Sequence, residues 1–380
     1  MEKLMPKLRF PEFEEKWLNV KLKDISKYFN GGSFENHVIE EGKYELITLK
    51  SVDMSGNLAH SNRFLDIEVE TLKRNTLIMI LSEQSPGLLG MTALIPTDDR
   101  YVLNQRVAEI RPSNDVHSYF LSLAINRNQT YFSKLGAGTK VQNITKPNVE
   151  NYEFFYPTLA EQTKIATFLS AVDEKINLLR EKKAALEDYK KGMMQKIFSQ
   201  EIRFKDDNGN DFAEWEEKYL ADICSKKSSN ISANKIEDNH GEFIIYGASG
   251  VLKKVDFYQE ENDYVSIVKD GAGAGRLLYC KGKSSVLGTL EILSPKVNLH
   301  TYFLYCLLSN IDFVKYVAGS TIPHIYFKDY SLEKCGLPCM AEQTKIATFL
   351  SAIDEKIELV TTQIEETQEY KKGLLQQMFC

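Results

Sequence analysis

AEQTKIATFLSAVDEKINLLREKKAALEDYKKGMMQKIF occupies Ala160 to Phe198, and AEQTKIATFLSAIDEKIELVTTQIEETQEYKKGLLQQMF occupies Ala341 to Phe379. The two stretches agree at 23 of 39 positions with a constant offset of 181 residues. Each carries a seam of positions alternately three and four apart, the spacing that lets one helix pack along another. In the first it runs Leu169, Val172, Ile176, Leu179, Lys183, Leu186, Lys190, Met193, and in the second Leu350, Ile353, Ile357, Val360, Ile364, Thr367, Lys371, Leu374. Neither stretch contains proline, and the single glycines, Gly192 and Gly373, fall near the ends. Each predicts one uninterrupted helix of roughly 55–60 Å at 1.5 Å per residue. One such stripe is ordinary core packing. Recurrence of Glu161, Gln162 and Lys164 as Glu342, Gln343 and Lys345 exceeds what a shared core requires, and marks these six as candidate partner-binding residues on a repeated surface. Thr158 and Glu161 have capping-box spacing after Pro157, whereas Cys339 stands in the equivalent place before Glu342 and caps poorly. The second helix is therefore expected to begin less sharply.

Working outward, the segments before the two helices also match. RFPEFEEKWLNVKLKDI (9–25) and RFKDDNGNDFAEWEEKYLADI (203–223) both open on Arg-Phe, close on Asp-Ile, and hold the only tryptophans, Trp17 and Trp215. Those two indoles are expected to anchor the start of a domain in its own core. Short apolar runs bounded by turn residues follow: YELITLK, TLIMILSE, MTALIP and YVLNQRVAEI in the first half, EFIIYG, DYVSIVKD, GRLLYC and SVLGTLEIL in the second. They read as strands. A helix is expected at 115–133 and another from His300 to Val317. Gly138, Ile144 and Pro157 recur as Gly319, Ile325 and Pro338 at the same offset. The expected architecture is α+β: two similar globular domains, 1–158 and 201–338, with helical segments 159–200 and 339–380. The second helix runs back along the first as an antiparallel, coiled-coil-like pair with one domain near each end, a pseudo-twofold internal repeat.

At 380 residues the chain is long enough for two cores. No run of 18 apolar residues occurs, and the start MEKLMPKLRF lacks the apolar stretch of a secretory signal, so a cytoplasmic protein without membrane contact is expected. All six cysteines, Cys224, Cys280, Cys306, Cys335, Cys339 and Cys380, lie in the second half without a CxxC pair, which favours reduced packing thiols over zinc ligands. The net charge of −6 argues mildly against bulk nonspecific nucleic-acid binding but leaves room for local basic faces.

Catalytic motifs fail in turn. Gly271, Gly273 and Gly275 form G-x-G-x-G leading into another apolar run, not the G-x-G-x-x-G that opens a helix, so a tight hairpin is expected there. Gly282-Lys283-Ser284 ends like a P-loop, but Leu277 stands where its first glycine belongs. No HExxH and no Asn-Pro-Pro-Tyr occurs. What remains is loop chemistry suited to base edges and phosphates, since Arg and Lys match guanine or phosphate and Asn and Gln match adenine. The candidate DNA-binding residues are Lys50, Arg63, Gln84, Asn104, Gln105, Arg106, Lys140, Gln142 and Asn143 in the first domain. In the second they are Tyr246, Ser249, Lys269, Arg276, Lys283, Thr321 and His324.

The order RFPEF, Trp17, LKDI, then GAGTKVQNI before the first AEQTKIATFLSAVDEKI, then RFKDDNG, Trp215 and a second helix copy, closely resembles the specificity subunit of type I restriction-modification systems. The resemblance covers essentially the whole chain. It implies two target-recognition domains, each reading one half of a split site in double-stranded DNA, and conserved helices on which two methyltransferase subunits dock. It also implies restriction (translocase and nuclease) subunits joining through them, for adenine methylation or for cleavage of unmodified DNA. The family's subunit is non-catalytic and binds no cofactor or metal. S-adenosylmethionine would sit on the methyltransferase partner, ATP and magnesium on the restriction partner. Half-sites about one duplex turn apart, ~34 Å, are within reach of helices of this length. Two other classes fit the residues alone: a stand-alone DNA-modifying enzyme with an unfamiliar site, and a structural tether whose coiled helices join two protein-binding domains.

Overall fold

The structure is a computed structural model that describes residues 5–84, 87–138, 140–296 and 298–380. The first four residues of MEKLMPKLRF, and Ser85, Pro86, Thr139 and Val297, lie outside the described residues. The chain divides into two compact units, Met1–Leu178 with Gln363–Cys380, and Leu179–Thr362.

In the first unit, Leu77–Ile80 is apolar at every position because both of its faces are covered. It lies inside a four-stranded antiparallel sheet ordered Ser26–Asn30, Val107–Pro112, Leu77–Ile80, Thr92–Leu94. Alternate side chains serve two cores, as the twofold strand period requires. Leu77 and Met79 pack with Phe120, Leu121 and Trp17, whereas Ile78 and Ile80 pack with Ile47, Tyr101 and Val107. The second core lies under a small sheet in which Tyr44–Ile47 pairs antiparallel with Phe64–Leu65 and parallel with Tyr101–Leu103. Leu18–Lys21 pairs with Glu153–Tyr156 and joins the two ends of the domain.

The second unit repeats this order, except that the short pair Ser82–Glu83 with Gln142–Asn143 is reduced there to the single bridge Asp270–His324. Its four-stranded sheet runs Cys224–Ser228, Leu290–Pro295, Tyr264–Val268, Leu277–Cys280, its three-stranded sheet Gly250–Val255, Phe243–Gly247, Ser284–Val286, and Glu216–Tyr219 pairs with Lys334–Leu337. The helix expected at 115–133 is two helices, Ser118–Asn126 and Gln129–Leu135, with Asn128 at φ −114°, ψ 51° between them. In the second unit, Thr301–Ser309 gives way to a 3₁₀ turn, Phe313–Tyr316, where the Asp312 carboxylate accepts from the Val314 amide at 3.0 Å. Asn and Asp side chains compete for backbone groups and interrupt helices in this way.

The long helices are Leu159–Phe198 and Met340–Met378, 40 and 39 residues. Their starts obey the same offset of 181, so the expectation of a less sharp second start does not hold. The Gln162 and Gln343 amides donate to the Thr158 and Cys339 carbonyls at 3.0 Å in both cases. Backbone acceptors begin each helix, and the capping side chain is dispensable.

Within the first unit, Leu159–Leu178 and Gln363–Met378 run antiparallel. Asp173 pairs with Lys371 at 2.5 Å, while Phe379 reaches back to stack on Phe120 at 5.1 Å and to meet Trp17 edge-on at 6.2 Å. Within the second unit, Lys190 pairs with Asp354 at 2.6 Å, and Phe198 lies 5.7 Å from Phe303 and 6.1 Å from Trp215. Asp173 and Lys190 become Asp354 and Lys371 under the offset of 181, so one ion pair is the other with its partners exchanged. The same pair thus occurs once within each unit. Tyr119 and Tyr302 donate to Asp173 and Asp354, tying each domain's own helix to the same carboxylates.

The repeated AEQTKI motif is a clasp, and its acidic and amide residues are corrected from partner-binding to internal. Glu161 is 1% and Glu342 0% exposed. Arg9 donates from Nε and Nη2 to the two Glu161 oxygens at 2.7 Å each, and the Trp17 indole donates to the same carboxylate at 3.2 Å. Arg203 grips Glu342 at 3.2 and 2.8 Å, with the Trp215 indole at 3.0 Å. The carboxylates raise the affinity of Arg9 and Arg203 for their protons above the ordinary value, chiefly through these hydrogen bonds. Gln162 and Gln343 are buried as well. Each accepts from a backbone amide, His117 or His300, at 2.9 Å, and donates to Pro157 or Pro338 at 2.8 and 2.9 Å. Lys164 is exposed and Lys345 half-buried, paired with Glu12 and Asp207. Burial of a charge demands a partner, so the whole motif recurs because each domain needs the same buried network on its helix.

Candidate nucleic-acid interface

Each domain carries one loop corner built on the same backbone hydrogen bonds. In the first, the Leu81 amide donates to Arg106 O and the Ile144 amide to Leu81 O, both at 3.0 Å. Gln142–Asn143 then pairs with Ser82–Glu83, and two bonds between Ala137 and Asn143 close a loop that carries Lys140 exposed. Gly138 sits at φ +132°, where a Cβ would fall 2.0 Å from the Val141 carbonyl oxygen, so only glycine makes this turn. Glu83 is buried and accepts from the amides of Leu88 and Leu89 at 2.7 and 2.8 Å, next to exposed Gln84.

In the second domain the Lys269 amide donates to Thr289 O and the Ile325 amide to Lys269 O, both at 2.9 Å. Asp270 bridges His324, Ala318 and His324 close the loop that bears Thr321, and Gly319 at φ +90° repeats the role of Gly138. The side chains at the corner differ while the frame does not. Ser82 with Asn143 becomes Asp270 with His324, whose Nδ1 lies 2.7 Å from Asp270 Oδ1; Lys140 becomes Thr321, and Gln142 becomes Pro323.

The glycine-rich stretch 271–275 is the expected hairpin between Tyr264–Val268 and Leu277–Cys280. Its Gly271, Ala274, Gly275 and Arg276 amides all donate to backbone carbonyls, so the loop is no phosphate cradle. Exposed Arg276 donates to Ala248 O at 2.9 Å, which brings exposed Ser249 beside it.

Gln84, Lys140, Gln142, Asn143 and, through its carbonyl, Arg106 thus converge in the first domain, as do Lys269, Thr321 and His324 in the second, with Arg276 and Ser249 following the hairpin. Exposed Arg106 and Lys283 take φ +66° and +50°. Residues other than glycine sit there at a cost, and such outliers collect at working sites. Gln105 is exposed beside Arg106, and Lys50 is exposed in the turn after Tyr44–Ile47, outside the corner. Two expected base readers, Asn104 and Tyr246, are corrected to internal braces. Asn104 is 3% exposed: its side chain donates to Glu35 at 2.8 Å and it shares that carboxylate with Arg63. Arg63 is thereby committed to Glu35, whose carboxyl it holds below the ordinary range. Tyr246 is 7% exposed, and its hydroxyl accepts from the Lys281 amide at 3.3 Å. Both brace loops from inside. Sequence reasoning missed Glu83 and Asp270, which shape the corners; an acidic residue directly after a buried strand was the available signal.

The two domains share one frame and differ in the side chains their loops display. The type I restriction modification DNA specificity domain matches residues 14–188 and 213–369, and the chain belongs to that family. It is similar to the type I restriction enzyme MjaVIII specificity subunit of Methanocaldococcus jannaschii, 24% identical over 98% of this chain and 93% of that one. Similarity to the MjaIX specificity subunit of the same organism is also 24%, over 94% and 91%. The fold matches the crystal structure of a type I restriction-modification S subunit from M. genitalium, with a TM-score of 0.68, 20% identity and 99% of both chains covered. A structure described for complex assembly and conformational transition of the type I R-M system matches with a TM-score of 0.54, 19% identity and 95% of both chains. Among the described residues no helix is long and apolar enough to cross a membrane.

Proposed function

We propose that this chain is the non-catalytic reader of a bipartite DNA site, one half per domain, and that it directs adenine methylation, or cleavage of unmodified DNA, by subunits docked on it. One observation carries the reading: the corner around residues 81–84 and 137–144 recurs around 269–271 and 318–325 with its backbone bonds kept and its displayed side chains changed. Two half-sites of different sequence call for that combination, because the frame positions and the side chains specify. Gln84, Gln142 and Asn143 read bases in one half-site, His324 and Arg276 in the other. Lys140, Arg106, Lys269 and Lys283 serve phosphates or guanine edges. Two methyltransferase subunits bind this chain and carry S-adenosylmethionine; restriction subunits join through them with ATP and magnesium. The assembly works in the cytoplasm, where its DNA is.

Binding of the assembled methyltransferase complex to a set of duplexes tests this. Gln142→Ala should relax preference in one half-site only, whereas Lys140→Ala should weaken all duplexes alike and lower the salt slope by about one. Methyl transfer by the chain alone would contradict the non-catalytic reading, and indifference to both substitutions would remove the corner from the interface.

A further inference from the structure

At the second corner one nitrogen of the His324 ring is held and the other is open. The backbone beneath that ring is fixed, because the His324 amide donates to Ala318 O at 2.7 Å and its carbonyl accepts from the Ala318 amide at 2.8 Å. Asp270 is pinned on the facing loop. There the Lys269 and Asp270 amides share Thr289 O at 2.9 and 3.3 Å, and the Gly271 amide donates to Pro323 O at 2.8 Å. Between these anchored stretches Nδ1 of His324 lies 2.7 Å from Asp270 Oδ1. Nε2 has no hydrogen-bond partner among the described residues, yet it is not among the buried orphaned atoms, so it opens to solvent. Three charged or titratable groups surround the pair. The Lys269 ammonium is 4.0 Å from the second Asp270 oxygen, the Tyr326 ring lies 6.4 Å from the imidazole, and Lys328 stands 5.5 Å from that tyrosine ring.

A carboxylate only accepts hydrogen bonds, so Nδ1 must carry the hydrogen, and in the neutral ring Nε2 is left as a bare acceptor. On base edges in the major groove the donors are the amino groups, adenine N6 and cytosine N4. Guanine N7 and O6 and thymine O4 would meet that lone pair with lone pairs of their own. We propose that His324, with its tautomer set by Asp270, is a specificity-determining residue of the second half-site and selects a base that carries an amino group in the major groove. Asp270 is its positioning residue: it decides what His324 reads without touching the base. A second proton makes Nε2 a donor and turns the preference toward guanine. Imidazole is the side chain that makes this change between pH 5 and 8. In the first domain Ser82 and Asn143 hold the matching places and neither titrates, so the change belongs to the second half-site alone. The inference rests on the two-reader function proposed above and names the chemistry that one reader takes.

The test is binding of the assembled methyltransferase complex to duplexes in which each adenine or cytosine of the second half-site is replaced in turn by the same base without its amino group. At pH 8 one replacement should weaken binding roughly 3- to 10-fold, the worth of one hydrogen bond, and that cost should vanish in His324→Ala. The sensitive position, purine or pyrimidine, tells adenine from cytosine. Discrimination against guanine there should fall in the unaltered complex between pH 8 and 5.5 as the ring gains its second proton. Asp270→Asn can donate to Nδ1 and so frees the other tautomer; its discrimination should be weak already at pH 8 and flat across the range. A merely structural Asp270 would lower affinity for all bases alike and leave the slope as it was. First half-site preference, retained in each variant, is the control for folding and assembly. Three results would overturn the assignment and leave two readers in place: indifference of the unaltered complex to every amino group in the second half-site, a preference independent of pH, or the same amino-group cost in His324→Ala. A complex with no separate second half-site would overturn the two-reader function as well.

Discussion

Glu161 and Glu342 show how much a single carboxylate decides in this fold. Removing one member of a buried ion pair strands the other, at a typical cost of about 3–5 kcal/mol. Glu161→Ala should therefore destabilise the first unit by that amount and leave the second as it is, with Glu342→Ala doing the reverse; hydrogen exchange resolved by unit reads both, and losses below about 1 kcal/mol would contradict the clasp. His117 and His300 stand at the N-cap positions of equivalent helices, where only the His300 ring accepts backbone amides, and burial pushes both imidazoles below their ordinary value. The unfolded chain protonates them near pH 6.5, so it takes up protons first on acidification. Stability from the neutral rings is complete above about pH 6.5 and is lost as pH falls through the lowered folded values. His300→Asn keeps a polar acceptor where Nδ1 now takes the Tyr302 and Phe303 amides at 3.2 and 3.4 Å, but it does not titrate. It should flatten the decline of Tm between pH 7 and 5, and an unaltered slope would exclude His300 as a source. The sequence marked Glu161 and Gln162 by their recurrence, but recurrence cannot distinguish a buried network from a surface. That distinction depends on Arg9 and Trp17, some 150 residues away in the chain and adjacent only after folding.

At the scale of elements, the strands were legible because LIMI is apolar throughout and YVSIV is apolar but for Ser266, as doubly covered strands tend to be. The break at Arg127–Asn128 was hidden, since its flanks keep helical spacing. The corner loops were legible only as turn-rich stretches; their convergence rests on the Leu81, Ile144, Lys269 and Ile325 amides, which no local pattern records. Gly138→Ala strains a left-handed turn and places a methyl against Val141 O. It should lower affinity for duplexes through the first half-site by tenfold or more while preference in the second stays intact, as a binding series with each half-site scrambled in turn would show. Equal loss in both halves would contradict independent readers.

Across the whole molecule, the exchange of helix ends was the least legible feature. Phe198 and Phe379 each close a core begun elsewhere in the chain, and Lys190 and Lys371 interrupt the apolar seam because each meets an aspartate of the other helix. Asp173 and Lys371 should be coupled by about 1–3 kcal/mol in a double-mutant cycle of stability, with the same coupling between Asp354 and Lys190; additivity would remove the pairs from the account. The central claim is that one chain reads two half-sites. Single-molecule mapping of adenine methylation, in cells that co-express this chain with its methyltransferase subunit, tests it most directly. A single two-part motif with a fixed gap, of which loop exchange at 137–144 alters one part only, is the predicted result; an undivided motif, or both parts changing together, would contradict it.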